Sequence, residues 1–93
     1  MFAAVKQGPE QRPDGVIDSG GLAVVDVRGL HYPLTAALAS ASTSRNIQLS
    51  IDGADWFDAP LDAVTDVGIV LAILSPVRFV RFAGAPGDEW GIT

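Results

Sequence analysis

The chain has no cysteine and only one histidine, and each scarcity excludes a class of chemistry. Without thiols there is no disulfide framework, no thiolate metal site and no cysteine nucleophile. A lone imidazole, His31, acts as a base only beside a nucleophile and an orienting group. No serine here stands in a nucleophile-elbow sequence. His31 precedes Tyr32 and Pro33, which puts it in a loop with its ring near Tyr32. A phosphate-cradling glycine loop is also missing. The residue chemistry reads as that of a non-enzyme with no cofactor.

Positive charge is sparse. Six basic residues stand against eleven acidic ones, giving a net charge of −5, and they are scattered at Lys6, Arg12, Arg28, Arg45, Arg78 and Arg81. Nucleic-acid binding needs a basic patch to neutralise phosphates, so that function is excluded. The acidity serves solubility. Long apolar runs are missing too: the longest, Ile69 to Leu74, falls far short of the roughly 20 residues that span a bilayer. No membrane partner is expected. The N-terminal MFAAVKQGPEQRPDG turns polar at once and lacks the apolar middle of a secretory signal, so a mature, unprocessed end is expected.

Aromatics are few: two Trp, one Tyr and four Phe in 93 residues. A single domain of this size buries about two thirds of its unfolded surface. Many of its apolar residues are alanine, so the core should be thin, and contacts from neighbouring subunits would support it.

What the chain does contain is strand patterning. Ile47, Leu49 and Ile51 alternate with Gln48, Ser50 and Asp52 and run into Gly53, the signature of a half-buried antiparallel strand entering a turn at Asp52 to Asp55. Trp56-Phe57 begins the return strand and Pro60 closes it. In Leu22 to Arg28, Ala23, Val25 and Val27 share one face, and Leu22, Val24, Asp26 and Arg28 the other. Leu34 to Ser44 reads as a weak strand followed by a Ser/Thr loop. Asp62 to Gly68 is connection, and Ile69 to Leu74 is a strand apolar on both faces, which marks cover on both sides. Val77 to Phe82 conflicts with simple alternation, and a bulge near Phe79 or Val80 would reconcile it. Trp90 to Ile92 makes a short closing strand.

Residues 1–21 carry three turn signals, Gly8-Pro9, Pro13-Asp14-Gly15 and Gly20-Gly21, around short apolar pieces including Phe2 and Val5. This segment is expected to be an extended N-terminal arm docked on a neighbour and outside the domain's own sheet. Residues 22–93 form the domain. The fold class expected is all-β: a small antiparallel β-sandwich or barrel with that arm.

Asp52, Asp55, Asp58, Asp62 and Asp66 put five carboxylates within fifteen residues. Calcium prefers such oxygen clusters, but the spacing is not that of an EF-hand loop and no closing glutamate follows. A paired-carboxylate hydrolase requires one carboxyl in an apolar setting, and these ride on neighbouring turns of one loop. Turn and cap chemistry accounts for each Asp better, and no metal site is assigned. Trp56, Phe57, Tyr32 and Trp90 raise a sugar-stacking platform as a further reading. Trp56 and Trp90 read better as core plugs.

The segment IQLSIDGADWFDAP, followed by GIVLAILSPVRFVRFAG and GDEWGIT, resembles a pattern in small virion structural proteins of tailed bacteriophages. There a strand ends in S-x-D-G-x-x-W, the return strand carries the aromatic, and a later (V/I)R(F/Y)VR(F/V) strand packs beside it. Discoidin-like β-sandwich modules carry a similar strand signature as scaffold, although they are far longer than this chain. The resemblance covers Ile47 to Thr93, about half the chain, at turn and core positions, so no functional residue is carried over. It implies a virion location and a structural role as a capsid decoration, head-spike or tail-associated protein. The partners would be other virion proteins, the major capsid or tail proteins, together with further copies of the chain in a homo-oligomer. Phe2, Val5, Val70, Ala72 and Leu74 are the expected interface residues. The alternative is a carbohydrate- or receptor-binding module of a phage appendage, which would need exposed, coplanar aromatics around Tyr32, Phe57 and Trp90.

Overall fold

The computed structural model describes residues 12–93, which form nine strands and no helix. They are β1 (Asp14–Val16), β2 (Leu22–Asp26), β3 (Leu34–Ala39), β4 (Asn46–Ser50), β5 (Phe57–Asp58), β6 (Ala63–Val64), β7 (Ile69–Ile73), β8 (Phe79–Ala83) and β9 (Glu89–Ile92). Two antiparallel sheets result, a first in the order β1-β9-β3-β7-β6 and a second in the order β2-β8-β4-β5. Only β4–β5 and β6–β7 are hairpins between neighbours in one sheet; every other connection crosses between sheets. With β6 set aside as an added edge strand, this is the strand order of a jelly roll, an open sandwich and not a closed barrel.

Period-two patterning decides which side chains meet between the sheets. Leu34, Ala36 and Leu38 of β3, Ile69, Leu71 and Ile73 of β7 and Ile92 of β9 are buried on the inner face of the first sheet. Val25 of β2, Ile47 and Leu49 of β4, and Val80 and Phe82 of β8 are buried opposite them. Each of the larger side chains, Ala36 excepted, contributes about 1.5–3 kcal/mol over leaving it exposed. Phe82 is the largest of them, and its ring stacks on Trp90 at 5.1 Å between centroids and 19° between planes. Trp90 is therefore a core plug, as expected.

The 1–21 segment divides. Phe2 and Val5 lie outside the described residues. Asp14–Val16 pairs with β9, and Pro13 C=O accepts from Ile92 N–H at 2.9 Å. Ile17 is buried in the core, so residues 13–17 complete the domain's own sheet and do not stand apart from it. Within the Val16-Ile17 pair, Val16 faces out while Ile17 turns in.

The expected bulge in β8 is absent. Its register runs unbroken against both β2 and β4, from Phe79 opposite Asp26 and Ser50 to Ala83 opposite Leu22 and Asn46. The conflict in Val77 to Phe82 disappears because the strand begins at Phe79. Val77 and Arg78 belong to the preceding loop, and the ladder then alternates cleanly.

Three loops gather at one end of the sandwich: residues 27–33, 51–56 and 74–78. The Tyr32 hydroxyl joins two of them, donating to Val77 C=O and accepting from Val77 N–H, both at 3.0 Å. In the third, the Ser50 hydroxyl accepts from Gly53 N–H at 2.8 Å, and Gly53 has φ of 82°. The turn expected at Asp52 to Asp55 is present, as is its positive-φ glycine.

Candidate functional site

β7 and the residue that follows it hold three of the five expected interface residues. Because Ile69, Leu71 and Ile73 point inward, Val70, Ala72 and Leu74 face outward; Val70 is half-buried, Ala72 exposed and Leu74 74 % exposed. Their cross-strand neighbours are Ala37 and Ala63 beside Val70 and Thr35 beside Ala72, with Gly91 beyond Ala37. The centre of this outer face is thus an uncharged strip of small side chains. Asp14 and Glu89 lie along its β1–β9 side.

The strip continues into a cleft of about 350 Å³ between the sheets, at the end where the three loops gather. Ala72 and Leu74 line it from one sheet, Leu49, Ile51 and Phe57 from the other, and Pro76 and Val77 close it. Ile51 is 70 % and Phe57 43 % exposed, because β5 is too short to shield that edge. Apolar surface of this kind, open and contiguous, marks interaction sites more often than chance exposure does.

The five aspartates do not converge. Asp52 Oδ1 accepts from the N–H groups of Ala54 and Asp55, both at 2.9 Å, and from the Ser50 hydroxyl at 3.2 Å. These donors, Asp55 N–H first, pull its pKa from 3.8 to about 2. Asp58 instead receives Asn46 Nδ2 at 2.8 Å and Gln48 Nε2 at 3.1 Å. Asp62 accepts from Ala72 N–H on the free side of β7. Among the described residues, no three His, Cys, Asp or Glu side chains are grouped so as to hold a metal ion.

The aromatics of the alternative reading are also dispersed. Tyr32 is tied to Val77, Phe57 stands at the mouth of the cleft, and Trp90 is inside the sandwich. His31 is an exposed loop residue whose carbonyl accepts from Arg12 Nη2 at 3.2 Å.

Trp56 departs from expectation. It is not a core plug but lies half-buried on the outer face of the second sheet, with the Arg81 guanidinium 4.4 Å from its ring centroid. Arg81 also donates to Gln48 Oε1. Next along β8, Phe79 has Arg78 at 5.2 Å and Arg28 at 5.9 Å from its ring centroid. Arg28 pairs with Asp26, whose pKa falls from 3.8 to about 2, chiefly through the Arg28 side chain and then its backbone N–H. Three arginines of an acidic chain therefore gather around two aromatic rings. The signal was present in VRFVRF, where Phe79 and Arg81 share a face, but Trp56 joins them only through the β4–β5 loop.

Comparison with known proteins found no match: no family model fits the chain, and no curated protein or solved structure is significantly similar to it.

Proposed function

We propose that this protein is a non-enzymatic structural module of a tailed-phage virion, a capsid decoration or head- or tail-associated protein that binds neighbouring virion proteins. The observation that supports this reading is the uncharged outer strip of Ala37, Val70 and Ala72, continuous through Leu74 with the open cleft beside Phe57. An uncharged strip of small side chains at the centre of a sheet face suits burial against another protein surface, with Asp14, Glu89 and Asp62 at its margins. The test is attachment of the purified chain to particles or capsid shells that lack it. Ala72→Glu and Leu74→Glu, both at exposed positions, should abolish attachment and leave circular dichroism unchanged; attachment that survives both would exclude this face.

The carbohydrate- or receptor-binding alternative draws on a different observation, the planar groups of Trp56, Arg81 and Gln48 beside Asp58 on the second sheet. Stacking surface next to fixed polar groups suits a sugar ring. A glycan array on the domain, repeated with Trp56→Ala, tests it: binding that requires Trp56 supports this alternative, and an empty array removes it.

A further inference from the structure

We propose that β2 is the docking edge for a second copy of this chain, joined antiparallel about a two-fold axis so that two four-stranded sheets become one of eight strands. The two sheets have four edges among the described residues, and three are short. β5 and β6 are two residues each, and β1 is three residues following Pro13. β2 has five residues, with neither proline nor lysine, and carries Leu22 39 % and Val24 56 % exposed on its outer face. Folded proteins blunt long edges with charge, proline or cover, because an open row of N–H and C=O groups is a template for pairing.

The hydrogen bonds reveal which groups are open. Gly84 N–H donates to Gly21 C=O at 3.1 Å and Val27 N–H to Arg78 C=O at 2.9 Å. In an antiparallel ladder such contacts recur at alternate residues, so Ala23 and Val25 also face β8, and Leu22, Val24 and Asp26 face away. Leu22 is already engaged: its N–H reaches Asp18 Oδ1 at 3.2 Å and its C=O accepts from Asp18 N–H at 3.4 Å. Val24 and Asp26 are left as the open rungs.

A two-fold axis at Val25 sets Val24 of each copy against Asp26 of the other and joins these rungs by four backbone hydrogen bonds. The same register brings the Asp18 turn of each copy, which fills the edge beside Leu22, toward the Arg28 end of the other, an acidic group toward a basic one. Charge complementarity thus favours this orientation, whereas parallel pairing would set Arg28 against Arg28. Arg28 is also bound to Asp26 of its own copy, so the attraction across the axis is shared with that pair. The sequence resemblance implies a homo-oligomer, and this inference gives it an interface; attachment through Ala72 and Leu74 does not depend on it.

Sedimentation equilibrium of the full chain, with amide exchange followed by NMR at low and high protein concentration, tests the proposal. The expected result is a dimer in which the Val24 and Asp26 amides slow as concentration rises, and which weakens with added salt. Val24→Pro removes an N–H that faces away from β8 and should weaken association by about ten-fold or more with unchanged circular dichroism. Val24→Lys, which keeps the backbone and places an edge charge, should do the same, and it decides the matter if the proline variant fails to fold. A monomer at every concentration overturns the proposal. So does a dimer that both variants leave intact, or one whose Val24 amide exchanges equally fast at all concentrations.

Discussion

The guanidinium of Arg81 lies over the ring of Trp56, 4.4 Å from its centroid, outside the sandwich and above the middle of the second sheet. This pair fixes the β4–β5 loop against β8, since Trp56 is the last residue before β5 and Arg81 the middle residue of β8. Arg81→Met keeps the length of the side chain and removes its charge. It should cost about 0.5–1 kcal/mol, the range of a partly exposed cation–π contact. A thermal midpoint lowered by a few degrees, with altered Trp emission, is the expected outcome; an unchanged midpoint would show that neither the ring contact nor the Gln48 hydrogen bond contributes.

Gly53 combines two constraints. Its φ is +82°, and a Cβ there would meet Phe79 Cε2 at 3.0 Å. Gly53→Val should therefore destabilise by about 2 kcal/mol or more, because a branched residue is strained at positive φ and also displaces the ring. Gly87, at φ of +90° with nothing near its Cβ position, separates the two effects. Gly87→Val should cost less in denaturant unfolding, and equal losses would mean that the Phe79 contact is immaterial.

Gly15 covers the indole of Trp90: a Cβ at this position would approach Trp90 Cζ2 at 2.9 Å. Gly15→Ala should overpack the site and cost about 1–3 kcal/mol. Ile17, buried two residues later, should cost about 2–5 kcal/mol as Ile17→Ala. A chain starting at Ser19 loses both β1 and Ile17, and cooperative unfolding should disappear or shift far down. Normal stability in that truncated chain would show that residues 13–17 are dispensable to the fold.

The Asp52 carboxylate titrates at about 2 in the folded chain against 3.8 ordinarily. A depressed folded pKa contributes stability that is complete above the unfolded value and is lost as pH falls through the folded one. The advantage of the native protein over Asp52→Asn should hold above pH 4 and shrink between pH 4 and pH 2. A difference that stays constant over that window would remove the carboxylate's charge from the account.

Calcium provides a separate check on the aspartates. With Asp52, Asp58 and Asp62 each committed to different donors, millimolar calcium should leave the thermal midpoint unchanged, since only a ligand that binds the native state raises it. A calcium-dependent rise would require these loops to rearrange around an ion.

Much of the secondary structure was legible in the sequence because alternation is a local property. Ile47 to Ser50 declares which side chains turn inward and Gly53 declares its turn, whereas Ile69 to Leu74 reads as apolar on both faces and only the structure turns Ile69, Leu71 and Ile73 inward. Sheet membership is not local. Nothing in Asp14-Gly15-Val16 says that it pairs with Glu89 to Gly91, so three strand residues were assigned to an arm. Trp56 was placed in the core on its size, yet it lies on the outer face, where β8, one strand beyond β4, brings Arg81 over its ring. The sequence by itself determined most of the strands and turns, through side-chain period and glycine chemistry, but it left β1 in an arm and β6 in the Asp62 to Gly68 connection. The tertiary structure decided which edges were blunted and which left open, and which arginines met which rings, because those depend on contacts between segments far apart in the chain.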